Sequence, residues 1–217
     1  MAERRFNCLI FDFDGTLADT QEGIIRTFQE TIRRMGLAVP DRERVKSTIG
    51  LALKDGLKAG VDGMTDVQAE EACVIYRRIF PEVAIPCITA FEGAGPLLSQ
   101  LKGKGYRLAV ATSRSHHSLD SLVDRLGFGG FFEGLYGAED VVNHKPAPDL
   151  VLLILKEFGV SPEETLVVGD ATYDLLMGQG AGCKVCGVTW GNQSREKLRS
   201  VNPDHIISDF KELLDII

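Results

Sequence analysis

Residues 8–20 read CLIFDFDGTLADT. A short apolar run, Cys8–Phe11, ends abruptly in two aspartates one residue apart, Asp12 and Asp14, followed by Gly15 and Thr16. A four-residue apolar run bounded by turn residues reads as a buried strand. Two carboxylates at its end repel each other unless a cation or a shared proton offsets the charge. In open α/β sheets, ligands bind beyond the carboxyl ends of the strands. Helix capping accounts for Asp19 or Thr20 without further function. A calcium loop does not fit: counting from Asp12, Leu17 stands where glycine is required and Gly23 where the bidentate glutamate belongs.

Similar apolar runs recur downstream at Leu108–Ala111, Leu166–Val168, Val185–Val188 and Ile206–Ile207. Between most of them lie helical patterns with stop signals: Ser118–Leu126 before Gly127, Pro148–Phe158 before Gly159, Tyr173–Gln179 before Gly180. Strands alternating with helices predict a Rossmann-like parallel α/β sheet with right-handed crossovers. From about Thr20 to Phe80 the pattern is helical only, predicting an inserted α-helical unit. Its segments are Thr20–Met35, Asp41–Ile49 and Thr65–Phe80, the last running into Pro81. The stripe Val67, Val74, Ile75 and Ile79 is expected to form this unit's own core.

The chain has 217 residues, 44% hydrophobic and 25% charged, the profile of an ordinary globular protein. At this length folding removes about 70% of the unfolded chain's surface, enough for a core without staples. With 24 basic and 31 acidic residues the net charge is −7, and no basic stretch is available to track a nucleic acid. No apolar run approaches the roughly 20 residues of a membrane span, and the N-terminus does not read as a signal peptide. The five cysteines, at 8, 73, 87, 183 and 186, are odd in number and scattered. They are expected to be reduced thiols of a cytoplasmic protein. Cys183 and Cys186 have CxxC spacing, but no second pair completes a zinc site.

Three further stretches put reactive groups at strand ends. In LAVATSRS (108–115) a strand ends at Thr112, and Ser113 and Ser115 precede a helix. Hydroxyls and free N–H groups there suit a phosphate, although the same residues are good N-caps. In LVVGDATYD (166–174) a strand ends at Asp170, with Asp174 one helical turn further on. In HKPAPD (144–149) Lys145 stands in a loop stiffened by Pro146 and Pro148. Carboxylates, a hydroxyl and a lysine from four strand ends form the set that metal-assisted phosphoryl transfer through an aspartyl-phosphate requires. Magnesium, which takes hard oxygen ligands, suits it better than zinc.

These motifs, in this order, resemble the haloacid dehalogenase-like phosphohydrolases, and among them the phosphoglycolate phosphatase-like branch with a helical cap. The resemblance spans nearly the whole chain. It implies a catalytic core of residues 1–16 and 88–217 and a cap of residues 17–87. It implies Asp12 as nucleophile, Asp14 as general acid and then base, and Thr112 with the Ser113 backbone holding the phosphoryl oxygens. Lys145 would hold Asp12 and the phosphate. The resemblance also implies Gly15 and Thr16 as substrate-binding residues beside them. Magnesium would rest on Asp12, the Asp14 carbonyl and Asp170, supported by Asp174. The expected substrate is a small phosphorylated metabolite, phosphoglycolate first, with pyrophosphate, sugar phosphates or nucleotides as alternatives. The expected assembly is a monomer or homodimer, and a non-catalytic phosphate-binding regulator is the distant alternative.

Departures within the superfamily narrow the chemistry. Dehalogenases lack the second aspartate, which is present here as Asp14. Hexose-phosphate mutases carry a histidine where Ile24 lies, and phosphonate-cleaving relatives need a cap lysine, for which Lys46, Lys54 and Lys58 are the only candidates. Specificity is expected from the cap loop STIGLALKDG (47–56) and from Arg114. In that loop Gly50 would let the backbone approach a ligand, and Lys54 would meet a second anion. Linkers near 16–20 and 82–90, with Gly15 and Gly93 as flexible points, would let the cap move. Two patterns are set aside: Gly178, Gly180 and Gly182 follow a helix and not a strand, and His116-His117 read as solvated residues at a helix start.

Overall fold

Strand β1 (Cys8–Phe11) is completely buried and forms the middle of a six-stranded sheet in the computed structural model, which describes residues 5–217. The other strands of this sheet are β4 (Arg107–Ala111), β5 (Gly134–Tyr136), β6 (Thr165–Gly169), β7 (Lys184–Val188) and β8 (His205–Ile207), in spatial order β5-β4-β1-β6-β7-β8. Every pairing is parallel, with Cys8 opposite both Arg107 and Thr165. Burial on both faces explains why these strands read as continuous apolar runs. Alternate residues feed two cores: Leu9, Phe11, Leu108 and Val110 on one face, Ile10, Ala109, Ala111 and Val167 on the other. The chain moves from β1 towards β5 and from β6 towards β8, so the strand order reverses between β1 and β6. A crevice opens at such a reversal.

Two very short strands, β2 (Ala18–Asp19) and β3 (Thr89–Ala90), pair antiparallel at the foot of the helical insertion. The stretches expected to be linkers are therefore hydrogen-bonded to each other. Between them lie α1 (Gln21–Arg34), α2 (Arg42–Lys46), α3 (Leu53–Gly60) and α4 (Asp66–Val83). Helix α2 starts where Asp41 accepts from the Arg44 N–H at 2.8 Å, and it stops at Lys46, short of the expected Ile49. Helix α4 opens with a reciprocal Thr65–Gln68 capping box. It continues past Pro81 to Val83, because a proline removes only its own donor and Ala84 N–H still bonds Phe80 O at 2.8 Å.

The expected stripe on α4 is corrected. Val67 and Val74 are 79% and 64% exposed, and the buried face consists of Ala69, Ala72, Cys73, Tyr76, Ile79 and Phe80. Helix α4 packs along α1 and α3, and small residues at 69, 72 and 73 let the backbones approach. Of the expected stripe, Ile79 is buried and Ile75 half-buried, while Val67 and Val74 face solvent. Phe28, Ile32 and Leu57 of the insertion share one continuous cluster with Phe11, Phe13 and Leu17 of the sheet side.

The sheet is flanked by α5 (Ala94–Gly103), α6 (His116–Arg125), α7 (Asp149–Phe158), α8 (Thr172–Gly180), α9 (Arg195–Arg199) and α10 (Phe210–Ile216). Helices α3, α5, α9 and α10 and strand β5 had no clear sequence signal: each is short or built of mixed residues that tertiary contacts select. Gly178 and Gly180 lie within α8 and Gly182 follows it, away from any strand-to-helix turn. Gly93 (φ +91°) precedes α5, and a Cβ there would stand 3.4 Å from the Phe210 ring. All five cysteines are free. No helix among the described residues is long and apolar enough to cross a membrane.

Candidate active site

The loops after β1, β4 and β6 and the loop before α7 converge at the β1/β6 crevice. From β1 comes Asp12, from the loop before α7 comes Lys145, and from β6 and α8 come Asp170 and Asp174; all four are buried. Lys145 Nζ donates to Asp12 Oδ1 and to Asp174 Oδ1, each at 2.6 Å. Burial opposes the lysine's charge, but the two carboxylates outweigh it and raise its pKa. Asp174 Oδ2 accepts from the Ala171 N–H at 3.0 Å, so both of its oxygens are engaged.

Asp170 Oδ2 accepts from the Asn192 N–H at 2.6 Å and from its Nδ2 at 2.8 Å. Among the described residues, no hydrogen bond engages Asp12 Oδ2 or Asp170 Oδ1. Burial pushes the Asp12 carboxyl well up, and Asp174, Asp170 and Asp14 add to that against the pull of Lys145. Burial and Asp174 likewise raise Asp170 to about 7, despite its bonds from Asn192. One lysine does not balance these acids.

Ligand atoms of Asp12, Asp170 and Asp174 lie within 4.8 Å of one another. The donors are all hard carboxylate oxygens, the set that magnesium, calcium or manganese takes and that zinc does not prefer. Gly15 closes this cluster from below. Its φ is +82°, and a Cβ there would stand 2.2 Å from Asp170 Oδ2. The residues therefore fit a divalent cation.

Asp14 is not part of this cluster; Arg114 Nη2, from the loop after β4, donates to its Oδ1 at 2.6 Å. Thr112 is buried, its N–H bonded to Tyr136 O at 3.0 Å and its Oγ1 accepting from the Arg114 N–H at 3.3 Å. Thr16 is buried beside the turn, and its carbonyl accepts from the Trp190 indole at 3.1 Å. A cleft of about 710 Å³ rises from Asp12 and Asp14 into the helical insertion, with Ile24, Phe28, Leu57, Tyr76 and Phe80 among its walls. That volume is within the usual range of small-molecule sites.

The two cap residues singled out from sequence both line the cleft, and each has a protein partner. Gly50 (φ +101°) presents its carbonyl to Ser113 Oγ at 2.7 Å, so its close approach is to the core loop. Lys54 lines the cleft, but its ammonium is held by Glu70 at 2.7 Å, with Asp66 at 3.8 Å. His116, expected to be solvated, pairs with Asp140 at 2.7 Å, which raises its pKa; His117 is exposed. Sequence reading missed Asn192, although TWGN (189–192) follows β7 at the same sheet edge and the strand-end rule applied to it points there. It also missed Ser118 and Phe80, whose contacts with Arg114 arise only in three dimensions.

A sheet reversing at β1/β6, with buried aspartates on both of those strand ends and a helical insertion above them, defines a haloacid dehalogenase-type hydrolase. The profile of the haloacid dehalogenase-like hydrolases matches residues 9–188, and the chain belongs to this family. IndB of Dickeya dadantii, named as a phosphatase, is 35% identical over 209 residues, covering 95% of this chain and 91% of IndB. The pyrophosphatase PpaX of Bacillus pumilus is 33% identical over 217 residues, covering 100% and 99% of the two chains. A solved structure from Bacteroides fragilis, described as a haloacid dehalogenase-like hydrolase, superposes with a TM-score of 0.91 at 30% identity. That match covers 96% of this chain and 99% of the other. The protein is a phosphatase of this family.

Proposed function

We propose that the chain is a magnesium-dependent phosphatase that cleaves a small phosphate monoester through an aspartyl-phosphate on Asp12, with phosphoglycolate as the first substrate to test. The observation that carries this reading is the buried Lys145, 2.6 Å from Asp12 Oδ1, which fixes that carboxylate and leaves Oδ2 outside the bond. Asp12 Oδ2 attacks phosphorus as the bond to the leaving oxygen breaks, and Asp14 supplies the proton that oxygen takes up. Asp14 then accepts a proton from water, which attacks phosphorus and frees the Asp12 carboxylate and inorganic phosphate. Thr112 and the Ser113 N–H hold the phosphoryl oxygens, with the Gly15–Thr16 turn beneath them. Asp12, the Asp14 carbonyl and Asp170 would hold magnesium, with Asp174 orienting Lys145 and the α8 start. When bound, the cation supplies positive charge against the carboxylates and the phosphoryl oxygens.

The full-length likeness to PpaX favours pyrophosphate as the second substrate to test. A non-catalytic regulator is disfavoured, since Asp12, Asp14 and Lys145 are all retained and in contact with partners. Five free thiols accord with a reducing, cytoplasmic setting. One chain carries the whole residue set, so a monomer or a homodimer serves equally. The test is phosphate release from phosphoglycolate, pyrophosphate, sugar phosphates and nucleotides, with magnesium and with chelator. Chelator-insensitive turnover would remove the metal from the reading, and no turnover on any substrate would remove the activity.

A further inference from the structure

Arg114 lies on the loop between β4 and α6, beside Asp14. Its side chain is 9% exposed, and the guanidinium lies over the Phe80 ring with Cζ 5.0 Å from the centroid. Nη1 donates to Ser118 Oγ at 2.8 Å and Nη2 to Asp14 Oδ1 at 2.6 Å. Nε is buried without a hydrogen-bond partner among the described residues. A guanidinium presents its N–H groups as a planar fork that matches a carboxylate or phosphate face. Here the ring and the serine fix the plane of that fork, and one of its edges has an unused donor.

The neighbouring cations are differently placed. Lys54 is tied to Glu70, and Arg77 lines the cleft from an exposed position on the cap. Tyr76 and Phe80 share the cleft wall with Arg114, and the burial of its side chain strengthens a charge-assisted bond formed there. Because Arg114 touches Asp14 directly, anything it binds lies next to the ester oxygen that Asp14 serves.

We propose that Arg114 is the specificity-determining residue and selects a leaving group bearing a second anion, carboxylate or phosphate, two or three bonds from the ester oxygen. The inference rests on the phosphatase reading and deepens it. Phe80 of α4 supplies the ring that backs this subsite. Selection by charge is assigned to the core loop after β4 and not to Lys54.

The test compares phosphoglycolate with 2-hydroxyethyl phosphate, which replaces the carboxylate by a neutral alcohol, and runs pyrophosphate alongside. Wild type is expected to favour phosphoglycolate, pyrophosphate or both over the neutral ester, and the stronger of the two identifies the anion. Arg114→Gln should cut kcat/KM for the anionic substrate by about 100-fold more than for the neutral one, mainly through KM. Arg114→Lys should restore part of that preference. Ser118→Ala, which keeps the guanidinium but removes its Nη1 hydrogen bond, should lower the preference several-fold and keeps the test open if Arg114→Gln does not fold. Equal losses on charged and neutral esters would overturn the proposal while leaving the phosphatase reading intact. Absence of turnover by wild type on every ester would overturn that reading itself.

Discussion

Replacing Lys145 by methionine tests the electrostatic centre of the site through stability alone. The ammonium has no exposed surface and lies 2.6 Å from both Asp12 and Asp174. Methionine keeps most of the length and removes the charge, leaving two buried carboxylates facing each other. Breaking a buried ion pair costs about 3–5 kcal/mol, most of it from the charge left behind. One cation serves two acids here, but Asp174 retains its Ala171 N–H bond and Asp12 can take up a proton, so about 4 kcal/mol is expected. With a urea m-value of about 2 kcal/mol/M, the unfolding midpoint should fall by about 2 M in chelator at pH 8.

The loss should also depend on pH. Burial already raises the Asp12 pKa, and without Lys145 it rises further above its unfolded value. The native variant then binds more protons than the unfolded chain, so its stability falls as pH rises. The gap to wild type should therefore be smaller at pH 5 than at pH 8. Adding Asp12→Asn to the variant should recover part of the loss. A midpoint at pH 8 within about 0.5 M of wild type would refute the premise that the lysine offsets buried charge.

Asp12→Asn should reduce turnover by at least about 10³-fold, since an amide is a poor nucleophile, while far-UV circular dichroism stays unchanged. Asp14→Asn should lose about 10²–10⁴-fold, the usual contribution of a proton-transfer group, and steady-state kinetics would measure both. In the native protein an alkylating probe should modify Cys87 first, because burial raises the Cys8, Cys183 and Cys186 thiols to about 12 and also raises Cys73. Peptide mass mapping showing one of those four ahead of Cys87 would contradict the burial pattern. Trp190, the chain's single tryptophan, bonds the Thr16 carbonyl and contacts Phe91 beside the β2–β3 ribbon. Its fluorescence should shift when a phosphate analogue such as vanadate closes the cap, and an unchanged spectrum at saturation would count against cap movement.

The residues that carry the chemistry are local: Asp12 and Asp14 share one strand end, and Asp170 and Asp174 share another. A buried parallel strand needs a continuous apolar run, and the acid that ends it stands out against that run. This is why β1, β4, β6 and β7, and the pairing of acids with Lys145, were legible from residue order. What neighbours do to these groups was not legible. Lys54 read as a free cation because Glu70, 16 positions away, meets it only once α3 packs on α4. Val67 and Val74 were misplaced on α4 because Ala69, Ala72 and Cys73, less apolar than valine, are the residues that its neighbouring helices cover. Arg114 meets Asp14 across 100 residues and Phe80 across 34, and Asn192 reaches Asp170 across 22. Sequence by itself determined the set of reactive groups, because strand burial and chain order are local properties. Tertiary structure alone decided which of those groups are neutralised, which remain open and what faces the leaving group, because charge balance in a buried cleft depends on distances between segments remote in the chain.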